Sequence, residues 1–403
     1  MQNEIWITGI GICSSIGLNQ DETLSNLEAE KSGLTLLNHL NSRFVNEAIV
    51  GEILLSDNEL ADYSVFKNTP GVHRSLFLAD IACREALNQA GLSSLEMNEV
   101  MILNGTTTAG MTETEKEYEA FLRNHTTPSS YRARMVDCGC INRSLTEKYG
   151  LKFHSMTFST ACSSSSNAII NGANLLRSGK VTRVLAGGVD TLSRFTINGF
   201  NSLKNMSLSP CKPFDKDRIG LNLGEGAAYL VMETASSASA RGREAMAIYR
   251  GGISTNESFH ITGSHPEGDG AYHAMKLALE DADLDPADID NIHAHGTATF
   301  DNDQAEGIAL KKVFGDHPTF MSTKGYTGHT LAASGALNAV ISILGMQKRK
   351  YWPNLGFEVI DPAHRLMPVV RSGDMKKPHV LINSFGFGGN NTTFIISNPS
   401  GCM

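Results

Sequence analysis

No stretch of about 20 apolar residues occurs anywhere in this chain, so a membrane-spanning helix is not expected. Positive charge is in deficit. Thirty-four lysines and arginines stand against 42 acids, for a formal net charge of −8. Nucleic-acid binders are usually basic overall, so no nucleic acid is expected as a partner. Prolines number only 12, while glycines number 38. That balance suits the tight strand-to-helix turns of an α/β protein. The seven cysteines (Cys13, Cys83, Cys138, Cys140, Cys162, Cys211 and Cys402) are odd in number and scattered, unlike a disulfide framework. Cys138-Gly139-Cys140 is the one close pair, and metal sites want wider spacing and further ligands. There is no Gly-x-Ser-x-Gly elbow and no Walker loop, which sets aside a serine hydrolase and a P-loop nucleotidase. Met1-Gln2-Asn3-Glu4 lacks the basic-then-apolar pattern of a signal peptide, and a cytoplasmic location is the default expectation.

What is present includes a repeat. Ala86 to Leu92, an acidic linker, and Val100 to Thr106 read like Ala278 to Leu284, an acidic linker, and Ile292 to Thr297. Each is a helix end, a loop and a buried strand stopping at Gly-Thr, 192 residues apart. A second pair follows less tightly: Cys162 precedes a helical run over 168–176, and His329 precedes another over 336–346. Any α/β chain shows some likeness between its units. Duplication is the sharper reading, with halves 1–240 and 241–403 and a site at their junction.

Four loops carry candidate chemistry. Ser159-Thr160-Ala161-Cys162-Ser163-Ser164-Ser165 follows the predicted strand 156–158 and opens a helix. A cysteine there meets free N–H groups and the positive end of the helix dipole, which favour its thiolate. Its own N–H can help bind an oxyanion. His293-Ala294-His295-Gly296-Thr297-Ala298-Thr299 ends a buried strand, with Asp303 and Glu306 downstream on one helical face. Ser322-Thr323-Lys324-Gly325-Tyr326-Thr327-Gly328-His329 leads into another helix. Asn383-Ser384-Phe385-Gly386-Phe387-Gly388-Gly389 is a glycine-rich loop after a strand.

With Ile7-Thr8-Gly9-Ile10-Gly11, Lys212 to Arg218 and Gly224-Glu225-Gly226, these loops resemble the motif set of the β-ketoacyl-acyl-carrier-protein synthases. That family is the elongating branch of the thiolase superfamily. The motifs span nearly the whole chain in family order. The resemblance implies an α/β fold of duplicated, thiolase-like βαβαβ halves in five αβαβα layers. The first half would carry the nucleophile and the second both histidines.

The implied reaction is a decarboxylative Claisen condensation, an acyltransferase chemistry of fatty-acid or polyketide and aryl-polyene synthesis. Cys162 would take an acyl group as a thioester. His295 and His329, with neutral rings, would stabilise the enolate left when a malonyl thioester loses carbon dioxide. The N–H groups of Cys162 and Phe387 would hold the tetrahedral oxyanion. Lys324 matches the family's active-site lysine, Thr297 and Thr299 its pantetheine-binding threonines, and Phe387 its gating phenylalanine, with glycines on both sides to let the loop swing. Asp303 and Glu306 match supporting acids, and His260 a pocket-lining segment. No cofactor is implied beyond the phosphopantetheine arm on the acyl carrier protein, and no metal. His293 beside His295 looks like a metal pair, but no third ligand is apparent.

Some positions depart from the family. Asn338 stands where elongating synthases usually carry glutamate. Ser163-Ser164-Ser165 leans toward polyketide-type synthases, and Thr106-Thr107-Thr108-Ala109-Gly110 replaces a more glycine-rich pocket loop, which would alter the acyl tunnel. The resemblance further implies a homodimer or a heterodimer, with Arg183–Val189 near the two-fold axis. Lys67 and Arg74 fall where the carrier-binding basic residues are expected. The alternative function is a chain-length-factor-like partner subunit, although such subunits lose the nucleophile. A thiolase would need a second reactive cysteine near the C-terminus, and Cys402 lacks the glycine-rich context for that. An initiating synthase would use Cys-His-Asn where His329 supports Cys-His-His.

Overall fold

The strands are the most apolar runs of the chain, and most are buried on both faces, as in other sheets covered by helices on each side. The computed structural model describes residues 4–69, 71–125, 135–151 and 154–401, so Cys402 lies outside the described residues. In the first half, β1 (Ile5–Ser14), β2 (Val100–Gly105), β3 (Met156–Phe158), β4 (Arg183–Asp190) and β5 (Gly226–Thr234) lie in the order β3-β2-β4-β5-β1. In the second half, β6 (Ala247–Asn256), β7 (Ile289–His293), β8 (Phe320–Met321), β9 (His379–Gly386) and β10 (Asn390–Ser397) lie in the order β8-β7-β9-β10-β6. The strand directions match as well. The β3-β2-β4 and β8-β7-β9 pairings are parallel, and the remaining pairings within each half are antiparallel. The same topology therefore occurs twice, as the repeat implied. Ile5–Ile7 of β1 pairs with Ala247–Tyr249 of β6 and joins the halves edge to edge.

Six helices cover the sheets: α1 (Arg74–Ala90), α2 (Cys140–Tyr149), α3 (Ser164–Arg177), α4 (Asp269–Ala282), α5 (Phe300–Phe314) and α6 (Ser334–Lys348). Three apolar cores fix the layering. One packs α1 and α2 on the outer face of the first sheet. Another packs α4 and α5 on the outer face of the second. The largest encloses α3 and α6 between the two sheets. This is the five-layered αβαβα arrangement. Helix α6 is buried from Ser334 through Met346, as expected of a helix apolar all round. The two inner helices meet where a Cβ on Gly335 would fall 2.0 Å from Ser166 Oγ, so any larger residue would require Ser166 to move.

Each inner helix is entered through the same elbow. A short 3-10 turn, Ala161–Ser163, precedes α3, and Leu331–Ala333 precedes α6. Both elbows open on a non-glycine residue in the left-handed region, Ala161 at φ 52° and Leu331 at φ 51°. Such strain persists only where the surroundings over-determine it, commonly at functional sites. Cys162 in the first half therefore corresponds to Ala332 in the second, a closer match than the pairing with His329 read from the sequence.

Strand β4, expected near a two-fold axis, is bonded to β2 on one side and β5 on the other along its length. The open edge of that half is β3, with Met156 exposed. Arg74 is not a surface cation. It is buried, its Nη2 lies 2.6 Å from Glu225 Oε1, and its remaining donors reach Asp57 and the carbonyls of Ile53 and Leu55. Lys67 is exposed but paired with Asp62. Replacing Arg74 by methionine leaves Glu225 charged and buried, so about 3–5 kcal/mol of stability should be lost. Urea unfolding checks this, and a loss below about 1 kcal/mol, the range of an exposed pair, contradicts it. No helix among the described residues is long and apolar enough to cross a membrane.

Candidate active site

The duplicated topology brings loops from both halves to the centre of the molecule. Strand β3 leads through the first elbow into α3 and presents Cys162. His295 lies two residues past the end of β7, and His329 lies two residues before Leu331, which opens the second elbow. Phe387 sits on the turn between β9 and β10. All four line one cavity, open to solvent.

His329 Nε2 lies 3.0 Å from Cys162 Sγ. The backbone N–H of Leu331 donates to His329 Nδ1 at 3.2 Å. With Nδ1 accepting, a neutral ring carries its proton on Nε2 and points it at the sulfur. The His295 ring stands nearly perpendicular to that of His329, with centroids 5.3 Å apart. The backbone N–H groups of Phe387 and of Cys162 itself favour the thiolate form of the sulfur. Donor atoms of Cys162, His295 and His329 all fall within 4.8 Å of one another, compact enough to hold an ion as well as to act as a triad.

Burial and one cation set the protonation states. Lys324 opens the short helix Lys324–Thr327, is itself buried, and donates to the His295 carbonyl. Burial, then the Lys324 charge, pushes both imidazoles well below their usual 6.5. Both are therefore neutral donors, as expected from the sequence. The cysteine expectation is corrected. Burial pushes the Cys162 thiol up to about 12, against the pull of Lys324 and the N–H groups on the sulfur. The resting residue is a thiol, because desolvation outweighs the helix start.

The supporting acids hold backbone. Glu306 accepts from the N–H groups of His295 and Gly296, both at 2.8 Å, and from Asn383 Nδ2 at 3.0 Å. Asp303 accepts from Phe214 N at 2.7 Å and Ala298 N at 3.0 Å. Together they fix the turn that presents His295. Burial drives the Glu306 carboxyl up, against the N–H groups it accepts from, and drives the Lys324 ammonium down, while the Glu306 charge draws Lys324 toward its charged form. Thr297 and Thr299 line the cavity with their hydroxyls 2.8 Å apart. His260 lies on the same cavity wall, its Nδ1 accepting from Thr262 N. The Phe387 ring stacks on Phe200, with centroids 5.6 Å apart.

Other predicted residues lie elsewhere. His293 spends both nitrogens on hydroxyls, Ser342 Oγ and Thr323 Oγ1, each at 3.0 Å, and does not join the Cys162 cluster. Asn338 is buried behind Thr323, its Oδ1 3.5 Å from Thr323 Oγ1. Sequence reasoning missed Asp190. This buried carboxylate at the end of β4 accepts from the hydroxyls of Thr106, Thr107 and Thr108 and from the backbone of Thr107, Thr108 and Ala332. It ties the Thr-rich loop to the second elbow. An acid closing a buried strand, opposite three consecutive threonines, was the available signal.

The chain matches the β-ketoacyl synthase N-terminal domain over residues 2–238 and the β-ketoacyl synthase C-terminal domain over residues 246–358. It is 32% identical to the 3-oxoacyl-[acyl-carrier-protein] synthase 2 of Coxiella burnetii, over 98% of this chain and 99% of that protein. Among solved structures, it is similar to the ishigamide ketosynthase/chain length factor, with a TM-score of 0.93, 29% identity, and coverage of 99% of this chain and 100% of that one. A ketosynthase in complex with its chain length factor from Xenorhabdus doucetiae matches with a TM-score of 0.85 and 30% identity over 98% of each chain.

Proposed function

The chain belongs to the β-ketoacyl synthase family, and on that premise we propose that it joins a Cys162-bound acyl group to a malonyl unit carried by an acyl carrier protein. The observation that carries this reading is the cluster itself: a buried thiol 3.0 Å from an imidazole whose proton faces it, a second neutral imidazole alongside, and Phe387 on the same cavity wall.

The first step is thioester exchange. Cys162 Sγ attacks the acyl carbonyl, the carrier's pantetheine thiol leaves with the proton, and the acyl group stays on the enzyme. The N–H groups of Cys162 and Phe387 face the carbonyl oxygen as it takes negative charge. A malonyl carrier then enters past Thr297 and Thr299. Its carboxylate leaves as carbon dioxide, and the freed electron pair becomes an enolate whose oxygen accepts from His295 and His329. No base is required, because no proton is removed. The enolate carbon attacks the Cys162 thioester, the new C–C bond forms, and the sulfur departs to give a β-ketoacyl carrier. Lys324 holds the His295 carbonyl, and its charge adds to burial in keeping both rings neutral. No cofactor is called for beyond the carrier's own phosphopantetheine arm.

A non-catalytic partner role has less support, because the nucleophile and both histidines are present and mutually placed. The chain's own partner is a second copy or a related subunit, and the open β3 edge is the surface suited to it. A cytoplasmic location belongs to the same reading. Intact-mass analysis after incubation with a panel of acyl carrier thioesters tests the function. The expected result is one acyl adduct, converted to free enzyme and β-ketoacyl carrier when malonyl carrier is added. An enzyme that takes no acyl group from any carrier overturns it.

A further inference from the structure

The two N–H groups that face the reacting carbonyl come from different halves of the chain. Cys162 belongs to the elbow before α3, and Phe387 to the turn between β9 and β10. Something must hold these two elements in register, and the strand ladders do not, since β3 and β9 lie at distant places in the sheet. The residue after Cys162 and the residue three beyond Phe387 meet directly. Ser163 Oγ lies 2.6 Å from Asn390 Oδ1. The Asn167 amide, one turn along α3, donates to the same Oδ1 at 2.8 Å. On its other side, Asn390 Nδ2 reaches Ser254 Oγ at 3.2 Å and the Thr255 carbonyl at 3.3 Å on β6. A Cβ on Gly386 would sit 2.8 Å from the Thr160 carbonyl and 3.2 Å from Ser163 Oγ, so the base of the loop also rests on the elbow.

We propose that Asn390 is a positioning residue, a releasable latch that holds the Phe387 loop against the Cys162 elbow through Ser163 and Asn167. The proposal rests on the condensation reading for its consequence and on hydrogen bonding for its logic. Release is cheap because each donor has a second acceptor in place. The single Ser163 proton has the Thr160 carbonyl at 2.6 Å as well as Asn390. The Asn167 amide has Thr160 Oγ1 at 2.9 Å. When Asn390 withdraws, the Ser163 proton and one Asn167 N–H keep an acceptor and only the second Asn167 N–H is released, so the penalty of orphaned buried groups is kept small. The arrangement suits a loop flanked by Gly388 and Gly389, at φ +85° and +81°, that has to move and return to one register. Latched, the loop keeps the Phe387 N–H where it favours the Cys162 thiolate. Unlatched, it carries that N–H away.

The test uses Asn390→Ala, Ser163→Ala and the double variant in the full-length enzyme. Condensation kcat should fall about tenfold in each single variant, the scale of a mispositioned oxyanion donor, with KM for carrier thioesters unchanged. The double variant should lose no more than the worse single, because both remove one tie. A second readout needs no carrier. The pH profile of Cys162 inactivation by iodoacetamide should move to higher pH in the variants, since the sulfur loses an N–H donor. The charged groups around it, Lys324 and Asp190, are untouched, as is His329. An unmoved profile with lower thermal stability makes Asn390 a structural residue and overturns the latch. Additive losses, or parent-like kcat and profile, overturn it too. If no carrier thioester acylates even the parent enzyme, the condensation reading fails while the thiol profile and its non-additivity still decide the latch.

Discussion

Cys162→Ala should take no acyl group from any carrier thioester and should lose condensation by about 10⁴ or more, the scale seen when a nucleophile is removed from a cooperating site. Cys162 is the one cysteine lining the central cavity. Cys13, Cys83, Cys140 and Cys211 are buried in other surroundings. Cys13 and Cys83 lie in the outer core under α1, and Cys140 contacts His73 there. Each of these thiols is pushed up by burial, so none is a rival thiolate. Cys162 is also raised, to about 12, but as the described cysteine that lines the central cavity it combines the His329 Nε2–H, the pull of the Lys324 charge and the N–H groups of itself and Phe387. Its reactivity is therefore created by a substrate carbonyl held beside those donors and not by a resting thiolate. Peptide mapping of acyl-loaded enzyme should place the adduct on the peptide containing Cys162. Loading that survives Cys162→Ala removes the assignment.

The site was more legible than its electrostatics, for a physical reason. Cys162, His295, Lys324, His329 and Phe387 stand at or beside the turns that join strands and helices or, for Phe387, two strands, where short residue patterns fix backbone geometry. Those patterns carry over from sequence to structure. The duplication was legible too, because buried strands ending at Gly-Thr repeat in both halves. What local reading could not supply was burial set by distant partners. Arg74 reads as a free cation until Glu225, 151 positions on, is placed against it. Arg183–Val189 reads as any buried strand until β2 and β5 are seen to flank it. The helix start before α3 suggested a thiolate, yet full desolvation outweighs it at Cys162. The Ser163–Asn390 contact joins positions 227 apart and has no local signature.

His295→Ala and His329→Ala should each still accept the acyl group on Cys162 but lose malonyl decarboxylation by about 10²–10³, the effect of removing one donor from a site that holds a developing oxyanion. The two steps separate because the donors separate. The acyl carbonyl faces the Cys162 and Phe387 N–H groups, whereas the malonyl enolate faces the perpendicular ring pair. The sign of the pH dependence follows from the depressed histidine values. Burial and Lys324 hold both rings well below 6.5, so they stay neutral as pH falls through 6.5. The parent enzyme's decarboxylation rate should accordingly show no loss centred near pH 6.5, the midpoint of an ordinary histidine. His329→Ala should also weaken iodoacetamide labelling of Cys162, because the Nε2–H no longer faces the sulfur. His295→Ala should leave labelling unchanged. Stopped-flow release of carbon dioxide from malonyl carrier, beside intact-mass measurement of acylation, reads both steps on one sample. Either variant decarboxylating at the parent rate removes the enolate role. Both variants failing to acylate makes the two histidines part of the thiol's machinery instead.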